Sequence, residues 1–205
     1  FNSEIWINRT IRLWARTTCW LFGTQVVLIG AENMPMGGGI VLFNHKSFFD
    51  IFALYAVFPE MRFGAKIELF SIPLFGYTVR KLGTLPIARH NRDAAIKVLQ
   101  QSYESARRGR KYALSPEGGR STGQGLLPFK AGPFLFAIEA GVPLIPIVIS
   151  GAEEIWPKSA LVPATKSWRS KVYLKVLPSV SSEGYRVETR DQLQKVVRDR
   201  MLAEI

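Results

Sequence analysis

The sequence predicts an α/β fold: a single domain with a central mixed sheet flanked by helices, plus an N-terminal amphipathic helix. Three observations carry this reading. Short runs of aliphatic and β-branched residues alternate with segments of helical period along most of the chain. Glycine and proline punctuate the runs. The first twenty or so residues keep a helical period and carry no glycine or proline. The expected division is a helical unit over residues 1–23 and the main domain over 24–205.

Residues 3–22, SEIWINRTIRLWARTTCWLF, read as a helix. Ile7, Ile11, Trp14, Thr18 and Leu21 repeat on one face, and Arg9, Arg12 and Arg16 fall on the opposite side. Trp6, Trp14 and Trp20 are spread along it. Tryptophan favours the membrane interface and a basic face suits anionic headgroups, so these six residues are candidate membrane contacts on an interfacial helix. The alternative is a terminal helix that packs its apolar face on the domain.

QVVLI (25–29) and GIVLFN (39–44) read as strands, separated by a turn with Pro35 and glycines at 37–39. Residues 49–58 read as a helix and 61–66 as a strand. Pro73 is placed to open a short helix reaching Lys81. TLPIA (84–88) is a strand. Asn91 is a plausible N-cap for a helix over 92–107, with Ile96, Leu99 and Tyr103 on one face. KYALS (111–115) is a strand, and 116–132 a loop rich in glycine and proline. Residues 133–140 look helical. PLIPIVIS (143–150) has the continuous apolar character of a buried strand, and KVYLKVL (171–177) alternates like a half-exposed one. The last helix spans 189–204, with Leu193, Val196, Val197, Arg200 and Met201 as its stripe.

Composition narrows the function classes. Twenty-seven Lys and Arg against 16 Asp and Glu give a net charge of +11, which calls for a polyanionic partner. Nucleic acid is disfavoured, since no basic recognition helix or aromatic RNA-binding strand is visible. The one cysteine, Cys19, excludes an intrachain disulfide and a cysteine-rich metal site, and fits a reducing compartment. Two well-separated histidines, His45 and His90, argue against a histidine-based metal site. The uncharged run over 17–31 is too short and polar to cross a membrane, and no signal peptide is visible. The chain begins at Phe1 rather than at a methionine, which leaves a preceding segment open.

Three constellations carry chemistry. In FNHKSFFD (43–50), His45 and Asp50 lie between a strand and a helix, where α/β folds place reactive groups. A neutral imidazole takes a proton near neutral pH, and a carboxylate fixes its tautomer and stabilises the imidazolium. Ser47 or Asp50 could equally cap the helix, and Phe48 and Phe49 could face the core or an apolar substrate. Over 66–89, the cations Lys66, Arg80, Lys81 and Arg89 surround a Pro-Phe-Gly turn, as solvated surface or as a wall for a phosphorylated lipid. In SPEGGRST (115–122), two glycines let backbone N–H groups approach an anion, and Arg120 offers a planar fork to phosphate that Glu117 could hold. The run Gly119-Arg120-Ser121-Thr122-Gly123 matches the serine-hydrolase elbow only in spelling. No helix follows directly, and no histidine lies beyond His90.

In this order the blocks resemble the glycerolipid acyltransferase family, most of all its 1-acylglycerol-3-phosphate acyltransferase branch of the PlsC type. The resemblance covers residues 40–151. His45 and Asp50 stand at the family's H-x4-D, with Asn44 before and Ser47 inside. Lys66, Glu68, Pro73, Phe75, Gly76, Gly83 and Arg89 fit the second block, and Glu117, Gly118, Arg120 and Ser121 the third. Lys130 and Gly132 fit F-K-x-G, and VPLIPIVISG (142–151) the last block. Ser115 and Gly119 depart from the usual Phe and Thr of the third block.

The resemblance implies acyl transfer from acyl-CoA or acyl carrier protein to the free hydroxyl of a lysophospholipid, foremost 1-acylglycerol 3-phosphate, giving phosphatidic acid. It implies His45 as base, Asp50 as its orienting acid, and no acyl-enzyme, cofactor or metal. Lys66, Arg89, Glu117, Gly118 and Arg120 are then expected to bind the acceptor phosphate or the oxyanion. Asn44, Ser47, Ser121, Lys130 and Gly132 are expected to support them. The expected location is the cytoplasmic face of a membrane, in a bacterium the inner one. Another lyso-lipid or glycolipid acceptor, a hydrolase using the same pair on water, and a non-enzymatic lipid-binding protein remain the alternatives.

Overall fold

The computed structural model describes residues 2–88, 92–123, 125–160, 162–163 and 169–205. The elements run α1 (Asn2–Leu21), β1 (Thr24–Ile29), β2 (Gly39–Phe43), α2 (Phe49–Val57), β3 (Arg62–Lys66), α3 (Phe75–Lys81), β4 (Leu85–Ile87), α4 (Arg92–Arg107). They continue with β5 (Lys111–Leu114), α5 (Gly132–Ala140), β6 (Leu144–Ser150), α6 (Ala152–Ile155), β7 (Ser170–Val176) and α7 (Arg190–Leu202). The strands form one seven-stranded sheet in the order β1-β7-β6-β2-β5-β3-β4. All neighbours are parallel except β6 and β7, so the sheet is mixed, as expected.

Strand alternation explains the layering. On β2, Val41 and Phe43 enter one apolar cluster and Ile40 and Leu42 the other. The first cluster lies under α1, α2 and α6, and the second under α4, α5 and α7. β2 is buried along its whole length, which its uninterrupted apolar sequence requires. Phe49, Phe134 and Phe136 are fully buried, so the large aromatics fill both layers.

Helix α1 lies on the domain, with a different face from the predicted one. Ile11, Ala15 and Cys19 are buried, whereas Trp14 and Leu21 stay about half exposed. The physical reason is the neighbour. Small Ala15 and Cys19 let α1 approach α2 closely, and Trp14 lies along the seam against Phe52 (4.9 Å) and Tyr55 (6.5 Å). Arg12 and Arg16 are not on a free outer face either. They donate to the Val57 and Ala56 carbonyls in the last turn of α2, where a cation complements the helix dipole. Asn8 Oδ1 accepts from buried Arg62, whose guanidinium also bonds the Pro59 and Met61 carbonyls, and Glu4 pairs with Arg110.

Other departures are local. Pro73 lies in a turn before α3 rather than opening it, and a 3-10 segment at Ile67–Ser71 precedes that turn. Arg200 is exposed and donates to the Pro178 carbonyl, leaving Leu193, Val197 and Met201 as the buried stripe of α7. Asn91, the expected cap, and the side chains of Ile96 and Leu99 lie outside the described residues.

Burial pushes the Cys19 thiol up to about 11, from an ordinary 9.0. At mildly alkaline pH the docked helix should therefore react with maleimide about a hundredfold more slowly than a free thiol. Ala15→Asp, which places an unpaired charge in the α1 seam, should restore fast labelling by releasing the helix. Labelling followed by mass spectrometry checks both rates; equal rates would mean that α1 does not shield Cys19.

Candidate active site

The parallel neighbours β2 and β5 send their connections to opposite faces of the sheet. After β2 the chain enters α2 on the first face, and after β5 it reaches α5 on the second. A crevice must open between two such strands at their carboxyl ends, and in open α/β sheets that is where ligands bind. The loops over 44–48 and 115–131 border it.

Within the first loop the buried side chains, Asn44 and Ser47, each have a task. Asn44 continues the β2–β6 ladder with its side chain: Nδ2 donates to the Ile149 carbonyl (2.8 Å), and Oδ1 accepts from the Ile149 N–H (2.7 Å). That substitution frees the backbone to turn while the buried ladder stays satisfied. Ser47 Oγ donates to the Trp156 carbonyl (2.7 Å) and accepts the Phe49 N–H (3.0 Å). Phe48, not Ser47 or Asp50, takes the capping position of α2, while Ser47 accepts a peptide N–H at the helix start and ties it to the chain after α6.

Asp50 Oδ2 accepts from three directions: His45 Nδ1 at 2.8 Å, the Lys46 N–H at 3.0 Å and the Ser47 N–H at 2.9 Å. The contact with a carboxylate places the imidazole proton on Nδ1 and leaves Nε2 as the free acceptor. Asp50 is 1% exposed, and His45 is partly open. Burial raises the Asp50 carboxyl above its ordinary value, while His45 and the two N–H donors oppose that rise. Phe43 meets the imidazole edge-on at 5.6 Å. Phe49 belongs to the core, and Phe48 packs edge-on against Phe52 (5.8 Å) and Trp156 (5.0 Å), half-buried.

The second loop is tied to His45 itself. Glu117 Oε1 accepts the His45 N–H (3.1 Å), Glu117 Oε2 accepts the Leu127 N–H (2.9 Å), and the Ser121 N–H donates to the His45 carbonyl (2.8 Å). This corrects the expectation that Glu117 would hold the Arg120 fork. Its carboxylate is buried and committed to backbone donors, which are obligatory partners there. Arg120 is half-buried and makes no ion pair among the described residues, next to the Ser121 clamp. Gly118 has φ 73, a conformation suited to glycine, and the Lys130 stem lies over it: an added Cβ would meet Lys130 Cγ at 3.4 Å. The Lys130 N–H closes the loop onto the Pro116 carbonyl (2.7 Å), and Gly132 begins α5.

Lys66 is exposed at the carboxyl end of β3, the strand beside β5, so it shares this edge of the sheet. Arg89 lies outside the described residues. Sequence reasoning missed Trp156 and Leu127. Both act through backbone groups, which leave no signature in side-chain identity. Ser121, expected as a supporting residue, and Ser115 both bury their hydroxyl oxygens without a hydrogen-bond partner among the described residues.

A family model described as Acyltransferase matches residues 25–150. The chain is 32% identical over 148 residues to the chloroplastic 1-acyl-sn-glycerol-3-phosphate acyltransferase BAT2 of Brassica napus, covering 71% of this chain and 43% of that protein. It is 38% identical over 136 residues to the 1-acyl-sn-glycerol-3-phosphate acyltransferase of Haemophilus influenzae, covering 63% of this chain and 55% of the relative. The crystal structure of the 1-acyl-sn-glycerophosphate acyltransferase PlsC from Thermotoga maritima superposes with a TM-score of 0.79 at 27% identity, over 98% of this chain and 80% of that one. The chain thus spans about two fifths of the plant relatives, 43% and 41% of their lengths.

Asp50→Asn keeps the shape and the accepting oxygen but removes the buried charge. A carboxyl raised by burial contributes stability at low pH and loses it as pH climbs through the folded value. The Asn variant should therefore gain stability relative to the parent as pH rises above the ordinary carboxyl range. Denaturant melts across that rise in pH test it; a relative loss would mean that the charge pairing with His45 outweighs desolvation.

Proposed function

This chain belongs to the acyltransferase family, and we propose that it transfers a fatty acyl group from a thioester to the free hydroxyl of a lysophospholipid. The observation that carries this reading is the hydrogen-bonded His45–Asp50 pair, locked through the His45 backbone to the loop that presents Arg120. A base and a guanidinium without an ion pair among the described residues, on one edge of the sheet, suit an acceptor with a hydroxyl and a phosphate.

His45 Nε2 removes the hydroxyl proton as the acceptor oxygen attacks the thioester carbonyl. Asp50 holds the ring and stabilises the imidazolium. The tetrahedral intermediate carries an oxyanion, which fixed N–H or cationic donors stabilise. It collapses by breaking the C–S bond, and the imidazolium returns its proton to the thiolate. The products are an ester and a free thiol. Arg120, with Lys66 and Arg89, binds the acceptor phosphate, and Lys130 and the Ser121 hydroxyl support that subsite. Glu117 and Gly118 act by shaping the loop.

The acceptor is 1-acylglycerol 3-phosphate, as in the relatives' names, and the product is phosphatidic acid. The donor is acyl-CoA or acyl carrier protein, with no cofactor or metal. The reaction runs at the cytoplasmic face of a membrane, on which α1 rests through its exposed Trp6, Trp14 and Trp20 and through Arg9, whose guanidinium lies 5.6 Å from the Trp6 ring. No described helix is long and apolar enough to cross a membrane.

Radiolabelled acyl-CoA supplied with and without lysophosphatidate decides among the readings. Product only with acceptor is expected; free fatty acid without acceptor would indicate a hydrolase. His45→Ala and Asp50→Asn should each lower kcat by about 10²–10⁴-fold in a folded protein. Arg120→Ala should mainly raise the acceptor KM, and an unchanged KM would remove Arg120 from the phosphate site. Replacing Trp6 and Trp20 together by Ser should weaken co-flotation with anionic vesicles at constant thermal stability, since both side chains are largely exposed.

A further inference from the structure

The segment between β3 and α3 is built unlike a surface loop. Its base is fixed. Phe70 and Val79 are buried, and Gly76 packs so closely that an added Cβ would lie 2.1 Å from the Phe70 carbonyl oxygen. Its crest is apolar and exposed: Ile67, Ile72, Leu74, Phe75 and Tyr77 all face solvent, Leu74 at 85%. Leu74 is the centre of a γ-turn closed by the Phe75 N–H on the Pro73 carbonyl, with φ 61 and ψ −54. That turn is rare and strained, and strain held on a rigid base marks functional sites. A strained backbone that lifts a leucine into water serves no folding purpose visible in the core.

Charge and direction identify the occupant. Lys66, Arg80 and Lys81 flank the crest against the single acid Glu68, and Arg80 and Lys81 lie over the Phe70 and Tyr77 rings at 5.9 and 5.5 Å. Apolar tips among cations are the composition of a membrane-surface contact. The crest follows the carboxyl end of β3, on the sheet edge where β2 delivers His45. β7 is antiparallel to β6 and β1 parallel to β7, so the start of β1, just after Trp20, lies on that same edge. Trp20 stands there beside Arg169 and Lys171. The crevice of His45 is thus flanked on both sides by apolar and cationic groups.

We propose that the 67–77 crest is a second membrane contact, independent of the α1 tryptophans, which seats the His45 edge on an anionic bilayer with Leu74 entering the acyl layer. It rests on the reading of the site as one that draws its acceptor from lipid.

Leu74→Gly is the decisive variant, because glycine accepts φ 61 without strain and the crest loses only its tip. The full chain carrying it should bind vesicles of phosphatidylcholine mixed with phosphatidylglycerol about tenfold more weakly, with thermal stability equal or higher. Its kcat/KM should fall on vesicle-borne long-chain lysophosphatidate and stay unchanged on a short-chain acceptor below its micelle threshold. A fluorophore on Leu74→Cys should shift to the blue on these vesicles, while buried Cys19 stays unlabelled. Unchanged vesicle binding would overturn the proposal. So would an equal loss on the monomeric acceptor, which would make the crest part of the substrate wall. Weaker use of acyl carrier protein with intact vesicle binding would also overturn it and mark a protein dock. Vesicle binding needs no turnover, so a parent chain that binds through Leu74 but transfers no acyl group would sink the proposed function and leave this contact standing.

Discussion

A single carboxylate oxygen, Asp50 Oδ2, gathers the His45 imidazole and the Lys46 and Ser47 N–H groups, and the site depends on that convergence. The carboxylate is almost fully buried, so desolvation works against its charge. Two backbone dipoles and the imidazole offset the penalty. They also hold the ring in the tautomer that leaves Nε2 free. The same atoms that make the ionised acid tolerable also orient the imidazole. Loosening the 45–47 backbone would weaken both functions together.

That backbone is held from outside its own loop. Asn44 anchors it to β6, Ser47 to the chain after α6, and the His45 peptide to both Glu117 and Ser121. Each tie spans a large separation in sequence, so the site forms only when the central strands are paired. Because Glu117 bonds a backbone N–H in each of two loops, it fixes the width of the crevice rather than touching an anion. Arg120 and Lys130, which make no ion pair among the described residues, place positive charge beside it instead. Asp50 and Glu117 therefore act as structural ligands of peptide groups here, while the neighbouring cations make no ion pair among the described residues.

The alternation of apolar runs made the α/β architecture legible, and the His45–Asp50 pairing followed from spacing at a strand end. The sequence did not disclose what Glu117 bonds, because a carboxylate near an arginine in the chain has no obligation to face it once folded. Nor did it locate the seam of α1. Period alone favoured the large residues, Trp14 and Leu21, whereas close helix approach selects small ones, Ala15 and Cys19. The γ-turn at Leu74 was invisible for a similar reason. Pro73 signals a turn or a helix start equally well, and only the packing of Gly76 on Phe70 decides between them.

The division of apolar surface follows a consistent logic. Helix α1 uses its small residues to dock and leaves Trp6, Leu13 and Trp20 outside, although these bury more area per residue. Folding alone would favour the reverse. The crest after β3 repeats the pattern, with Phe70 and Val79 inside and Leu74 exposed. In both places the groups worth most in an apolar solvent are withheld from the core, and cations stand beside them. A net charge of +11 would otherwise destabilise a compact domain by self-repulsion. Against an anionic surface that repulsion is relieved and the withheld apolar groups become buried. The exposed apolar groups and the excess of cations are thus two halves of one cost, which the lipid surface proposed for the His45 edge would offset together.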